Sequence, residues 1–300
     1  PFCIPCKLDQ YSMVVNKTMF DEAGIEVPTE WTYDEFLEVC KKLTHGEGTD
    51  KVYGVFWNSQ QDMAQYAQFM IQQTLGGDNM YTADGTATNF TDDVWQKTIS
   101  LISTTMNEGY APTHADSVTE KLSQESMFLG GKAAMTIGPW MVRNIKDTET
   151  YPHDFVTAFA PYPVVSEDQR NYTQGGYGDL LCINPRSEHL DEAWEFAKWY
   201  LTEGGLYLAS GGRVPAANTY NADDVVNAFL SGAENLFDAD STKAVLITPH
   251  DNYAAPSITT KNAELTDIIN EELEAIYTGQ KTVEEGLESA KTRGDAALAG

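Results

Sequence analysis

Apolar residues along the chain recur mostly at helical spacing, interrupted by short apolar runs that read as strands, and this alternation predicts a mixed α/β fold. Thr32-Tyr33-Asp34-Glu35 has the form of a capping box and precedes Phe36, Leu37, Val39, Cys40 and Leu43 at helical positions. Residues 52–56 predict a buried strand, and a helix from about Asp62 to Leu75 is expected to stop at Gly76-Gly77. A further helix is predicted from Asp92 towards Met106. Another, capped by Ser117 with Glu120, is expected to carry Leu122 into Met127 and Phe128. Strands are expected over 133–137, ending at Gly138-Pro139-Trp140, over 155–159, ending at Pro161, and over 180–183. Ala193, Trp194, Ala197, Tyr200 and Leu201 share one helical face that Gly204-Gly205 closes, with the neighbouring aromatics Phe196 and Trp199 read as packing. Residues 262–277 carry Leu265, Ile268, Ile269, Leu273 and Ile276 on one stripe, and Thr282 with Glu285 caps a last helix.

At 300 residues the chain has room for about two domains. No repeat or linker divides it cleanly, so two lobes would require the chain to weave between them. The net charge of −26 makes phosphate backbones and anionic lipid surfaces poor partners, so no nucleic acid is expected. No run approaches the ~18 apolar residues of a membrane span, and an opening at Pro1 reads as a processed or trimmed product. Cys3, Cys6, Cys40 and Cys182 are too few and scattered for a disulfide scaffold. Cys3-Ile-Pro-Cys6 lacks a second pair for zinc and is read as small apolar residues buried on an extended segment.

No nucleophile elbow, phosphate loop, zincin or dinucleotide motif stands in a strand-to-helix context, and the five histidines show no i, i+4 pairing. No catalytic residue, metal ligand or cofactor is therefore expected. Carboxylates are too abundant to single out a glycosidase pair. Aromatics next to Gly, Asn and Gln at element ends are more informative: Trp57-Asn58, Gly138-Pro139-Trp140, Gly175-Gly176-Tyr177 and Tyr253. An aromatic face offers a flat apolar platform to a pyranose, while amides, carboxylates and guanidinium groups can pair with its hydroxyls.

The run from Leu8 to Gly24, with Asn16-Lys17 before a short helix and Ala23-Gly24 after it, continues to Pro28-Thr29-Glu30-Trp31. It resembles the extracellular solute-binding proteins of sugar ABC importers, the maltose-binding-protein-like family. Three further blocks agree in order: Phe128 to Trp140, Gly175-Gly176 with Glu192 to Phe196, and Gly212-Arg213-Val214-Pro215-Ala216. The resemblance implies a class II periplasmic-binding-protein-like α/β fold, its two lobes joined by crossing segments and closing on a ligand. It places a crossing segment at 1–10, the second lobe at 11–172, part of the first lobe at 173–245 and the second lobe again at 246–300. It also implies that the first lobe lacks its N-terminal part, which would expose sheet edges and apolar surface.

By the same resemblance Trp140 is the stacking aromatic, and Asp9 and Gln10 lie on the first crossing. Trp57, Asn58, Gln61 and Tyr66 follow a strand, Gly176, Tyr177 and Asp179 lie on the return, and Arg213 precedes the last proline. Tyr253 is expected to replace an aromatic absent near Thr260 and Lys261. The rival readings are core packing for Trp140, an interlobe salt bridge for Arg213, a turn cap for Asp9 and a strand-edge core position for Tyr177. The expectation is a non-enzymatic, monomeric carbohydrate receptor that captures a mono- or oligosaccharide and delivers it to the permease of an ABC importer. It would stand outside the cell, as a cell-surface lipoprotein or in a periplasm. The alternatives are the same fold binding a cationic small solute such as a polyamine, and a glycoside-active enzyme.

Overall fold

The computed structural model describes residues 3–59, 63–76, 80–168, 173, 175–250 and 260–300. The first strands are β1 (Cys3–Gln10) and β2 (Met13–Asn16), followed by helices α1 (Lys17–Glu22), α2 (Tyr33–Leu43), α3 (Met63–Leu75), α4 (Asp93–Asn107) and α5 (His114–Thr119). Then come β3 (Met135–Ile137), α6 (Val142–Lys146), β4 (Thr157–Ala160), β5 (Gly175–Cys182), α7 (Leu190–Thr202), α8 (Gly205–Ser210) and β6 (Val214–Pro215). The chain ends with α9 (Ala222–Leu230), α10 (Ala239–Ser241), α11 (Asn262–Tyr277) and α12 (Val283–Ala299).

The strands form two antiparallel three-stranded sheets, ordered β3-β2-β4 and β5-β1-β6. Every residue of β2, β3 and β4 is buried, because helices cover both faces. Period-two alternation then divides the core. Met13, Val15, Met135, Ile137, Ala158 and Ala160 face a cluster with α2, α3, α4 and α11, whereas Val14 and Phe159 face one with α6 and α9. The sheet of β1 and β5 is far less covered: Tyr177 is 70% exposed and Leu180 also faces water.

Both predicted capping boxes form, Thr32 with Glu35 and Thr282 with Glu285. Asp92 caps α4, Gly76 takes the left-handed conformation after α3, and α11 spans the predicted residues. Other expectations need correction. Residues 52–56 make isolated bridges to His45 and Ala133 in place of a strand ladder. Thr113, not Ser117, caps α5, and the segment after it becomes a π-helical turn over Glu125–Leu129. Gly204 stays right-handed and leads straight into α8, so it does not close α7 in the expected way. Trp194, Phe196 and Trp199 do not pack inside: only Ala197 of α7 is buried, and Phe196 is 55% exposed.

The cysteine reading holds for the extended segment but needs correction at Cys3 and Cys6, neither of which is a buried free residue. Cys3 and Cys182 form a disulfide at the end of the β1–β5 pairing, and their strand register brings together residues 179 apart in sequence. Cys6 is partly exposed, and its thiol donates to the Asp179 carbonyl. Only Cys40 is a buried free cysteine among the described residues.

α11 and α12 pack around a buried carboxylate. Glu272 accepts from Arg293 Nη1 at 2.8 Å and Ser289 Oγ at 2.8 Å, and pairs closely with Lys281. Burial alone would raise its pKa, but these donors hold it below the usual carboxylate range. Among the described residues no helix is long and apolar enough to cross a membrane.

Candidate functional site

A cavity of about 150 Å³ opens beside β1. Its walls come from segments far apart in sequence: Lys7 to Tyr11, the turn carrying Trp140 and Arg143, and the approach to β6 at Gly211 to Val214. Phe229 of α9 and Leu246 complete the lining.

Trp140 is fixed from three sides while 41% of it remains open. Its Nε1 donates to Gln124 Oε1 at 3.2 Å, and that buried amide in turn donates from Nε2 to the Ile137 carbonyl at 2.5 Å. The Tyr11 ring meets the indole edge-on at 5.9 Å. The third side is Gly138, at φ +97°, where a Cβ would lie 2.2 Å from the indole. The Gly-x-Trp spacing is therefore a packing requirement: the ring folds back over a residue that can have no side chain.

Gln10 is 3% exposed, and its Nε2 donates to the carbonyls of Leu246 at 2.7 Å and Thr248 at 2.9 Å. Both donor hydrogens are thereby used, and Oε1 is left without a partner among the described residues. Asp9 pairs with Lys7 at 3.0 Å, and Lys7 also approaches Asp179 at 3.7 Å. Arg213 pairs closely with Asp179 across the sheet. Asp179 itself adopts a left-handed φ of +45° inside β5, a conformation short polar side chains tolerate. Burial first, then the carboxylates of Asp9 and Asp179, push the Tyr11 hydroxyl above its usual pKa, so it stays a neutral phenol.

Of the residues singled out from sequence, the cavity brings together Asp9, Gln10, Trp140 and Arg213. Gly176, Tyr177 and Asp179 stand on β5 opposite β1, with Gly176 across from Asp9 and Tyr177 across from Leu8. Trp57, Asn58 and Tyr66 lie elsewhere and are buried. The Trp57 indole donates to Thr105 Oγ1 at 2.9 Å, and Tyr66 packs its ring against Phe69. Gln61 and Tyr253 fall outside the described residues. Among the lining residues not singled out, three carry polar or charged side chains: Lys7, Tyr11 and Arg143. Arg143 had a local signal, since three residues after Trp140 in a helical turn puts it on the same face.

The family of bacterial extracellular solute-binding proteins matches residues 2–206, more than two thirds of the chain. This chain belongs to that family. The periplasmic-binding-protein-like fold agrees. A sugar transporter protein from Rhizobium etli, in an open conformation, is 22% identical, with a TM-score of 0.77 over 98% of this chain and 72% of its own. An ABC substrate-binding protein from Listeria monocytogenes in complex with cycloalternan is 18% identical, with a TM-score of 0.68 over 98% and 72%. A solute-binding protein from Thermotoga lettingae bound with α-D-tagatose is 19% identical, with a TM-score of 0.64 over 99% and 72%. No curated protein sequence matches the chain. As a solute-binding protein, the chain presents in this cavity an aromatic platform, a buried amide with a free acceptor, and charged groups: the furniture of a polar-ligand site.

Proposed function

We propose that this solute-binding protein is an extracellular carbohydrate receptor that captures a mono- or oligosaccharide and delivers it to an ABC importer. The observation that carries the reading is the Trp140 indole, held by Gln124, Tyr11 and Gly138 with an open face beside Gln10, Asp9 and Arg213. A ring so constrained loses little freedom on binding, and its face suits the C–H surface of a pyranose. Sugar complexes among the structural neighbours support the same ligand class. β1 and β5 are read as segments crossing between two lobes that close on the sugar. The receptor is proposed to act as a monomer without catalysis, outside the membrane, either lipid-anchored or free in a periplasm. A polyamine fits less well, since Lys7 already occupies the Asp9 carboxylate and Arg143 lines the cavity without a counter-charge.

Thermal-shift and calorimetric titration with neutral and charged mono- and oligosaccharides tests the reading, because a ligand of the native state raises the melting temperature. Trp140→Ala is expected to weaken the bound sugar by about ten- to a hundredfold. The unliganded melting temperature should fall by only a few degrees, about 3–6 °C, for the lost packing and the Gln124 acceptor left unpaired. A large loss of stability with unchanged affinity per folded molecule would show Trp140 to be packing and overturn the site.

A further inference from the structure

The cavity is positive within a strongly negative chain. Three of the protein's nineteen Lys and Arg residues line it, although the net charge is −26. Two of the three are neutralised: Lys7 by Asp9 at 3.0 Å and Arg213 by Asp179. Arg143 is different. Among the described residues it has no carboxylate within ion-pair distance and no side-chain hydrogen bond, in a chain where acids outnumber bases by more than two to one. It is exposed, lies three residues after Trp140, and lines the same cavity. Gln10, which also lines the cavity, keeps a buried acceptor oxygen unpaired. A ligand that carries an anionic group can pair with Arg143, the one of these three cations without a carboxylate of its own.

We infer that the ligand is an acidic saccharide, a sugar carrying a carboxylate such as a hexuronate, with Arg143 receiving the carboxylate. The inference rests on the sugar-receptor reading of this cavity and narrows it. The planar fork of a guanidinium matches a carboxylate through two parallel charge-assisted hydrogen bonds, whereas a neutral hydroxymethyl group in the same place offers a single uncharged oxygen.

The test is calorimetric titration of the whole chain with glucuronate and galacturonate, with their neutral parents glucose and galactose, and with glucose 6-phosphate, at low and high salt. Wild type is expected to prefer a uronate over its neutral parent by about ten- to a hundredfold, the worth of a charge-assisted pair, with the preference shrinking as salt is raised. In Arg143→Gln the ratio should fall to about one and lose its salt dependence, while Arg143→Lys should retain part of it. An unchanged melting temperature of the unliganded variants establishes that they are folded. Equal or tighter binding of the neutral sugar by wild type overturns the acidic-ligand inference and leaves the receptor reading standing. Tighter binding of the sugar phosphate than of either uronate overturns the carboxylate assignment, and so does a uronate preference that survives Arg143→Gln. Binding of none of these or of any oligosaccharide overturns both readings together.

Discussion

The disulfide between Cys3 and Cys182 closes a loop of 179 residues, and its removal gives a sharp test of how β1, the strand that carries Asp9 and Gln10, is held. In a chain-entropy treatment a cross-link across about 180 residues removes roughly 18 cal/mol/K from the unfolded chain, or about 5 kcal/mol at 25 °C. Measured effects of native disulfides more often fall at about 2–4 kcal/mol. The folded state loses little when the bond is cut, because β1 and β5 still pair antiparallel from Ile4 with Leu181 to Gln10 with Gly175. Cys182 is exposed and Cys3 partly so, and serine at either position meets no apolar penalty of consequence. The double variant Cys3→Ser/Cys182→Ser is therefore expected to fold and to melt about 5–10 °C lower than the oxidised wild type, followed by circular dichroism. Dithiothreitol should lower the wild-type melting temperature by the same amount and leave the double variant unmoved, since Cys6 and Cys40 are not bridged. A double variant that melts within about 1 °C of wild type, or that responds to dithiothreitol as wild type does, would refute the reasoning.

Two further perturbations probe the site and the closing helices. Gly138→Ala should cost about 1–2 kcal/mol for its positive φ and displace the indole that a Cβ would strike, so affinity for the sugar should fall along with stability; full affinity and an unchanged melting temperature would show that the ring does not depend on this glycine. Glu272→Gln should destabilise by about 2 kcal/mol near neutral pH, a buried-pair loss discounted because Lys281 and Arg293 are each more than a third exposed. The native pKa of Glu272 lies below its unfolded value, so its contribution is complete above the unfolded pKa, near 4.3, and is lost as pH falls through the native one. The stability gap between wild type and Glu272→Gln should accordingly narrow below about pH 4, and a gap that stays constant down to pH 2 would contradict the assignment.

The local elements were legible because local chemistry decides them. Thr32 and Glu35, or Thr282 and Glu285, satisfy helix N-terminal donors within four residues, and the apolar stripe of α11 needs no distant partner to be seen. The family was also legible, since its blocks are short runs in a fixed order, and four residues of the cavity, Asp9, Gln10, Trp140 and Arg213, stood in those blocks. Local pattern was silent wherever a residue's environment is supplied by another part of the chain. Trp57 and Tyr66 carry the same aromatic chemistry as Trp140, yet Thr105 and Phe69 enclose them while Gly138 holds Trp140 at a cavity wall. Trp194 shares a helical face with Ala197, yet it is exposed on a helix of which only Ala197 is buried. The pairing of Cys3 with Cys182, and the contrast between a neutralised Arg213 and an unpaired Arg143, depend on strand register and on which carboxylates the fold brings within reach. Sequence alone thus determined the elements, the family and the kinds of group available for binding. Tertiary structure decided which of those groups are open, which are already satisfied and which still need a partner, because burial and charge pairing are properties of neighbours in space.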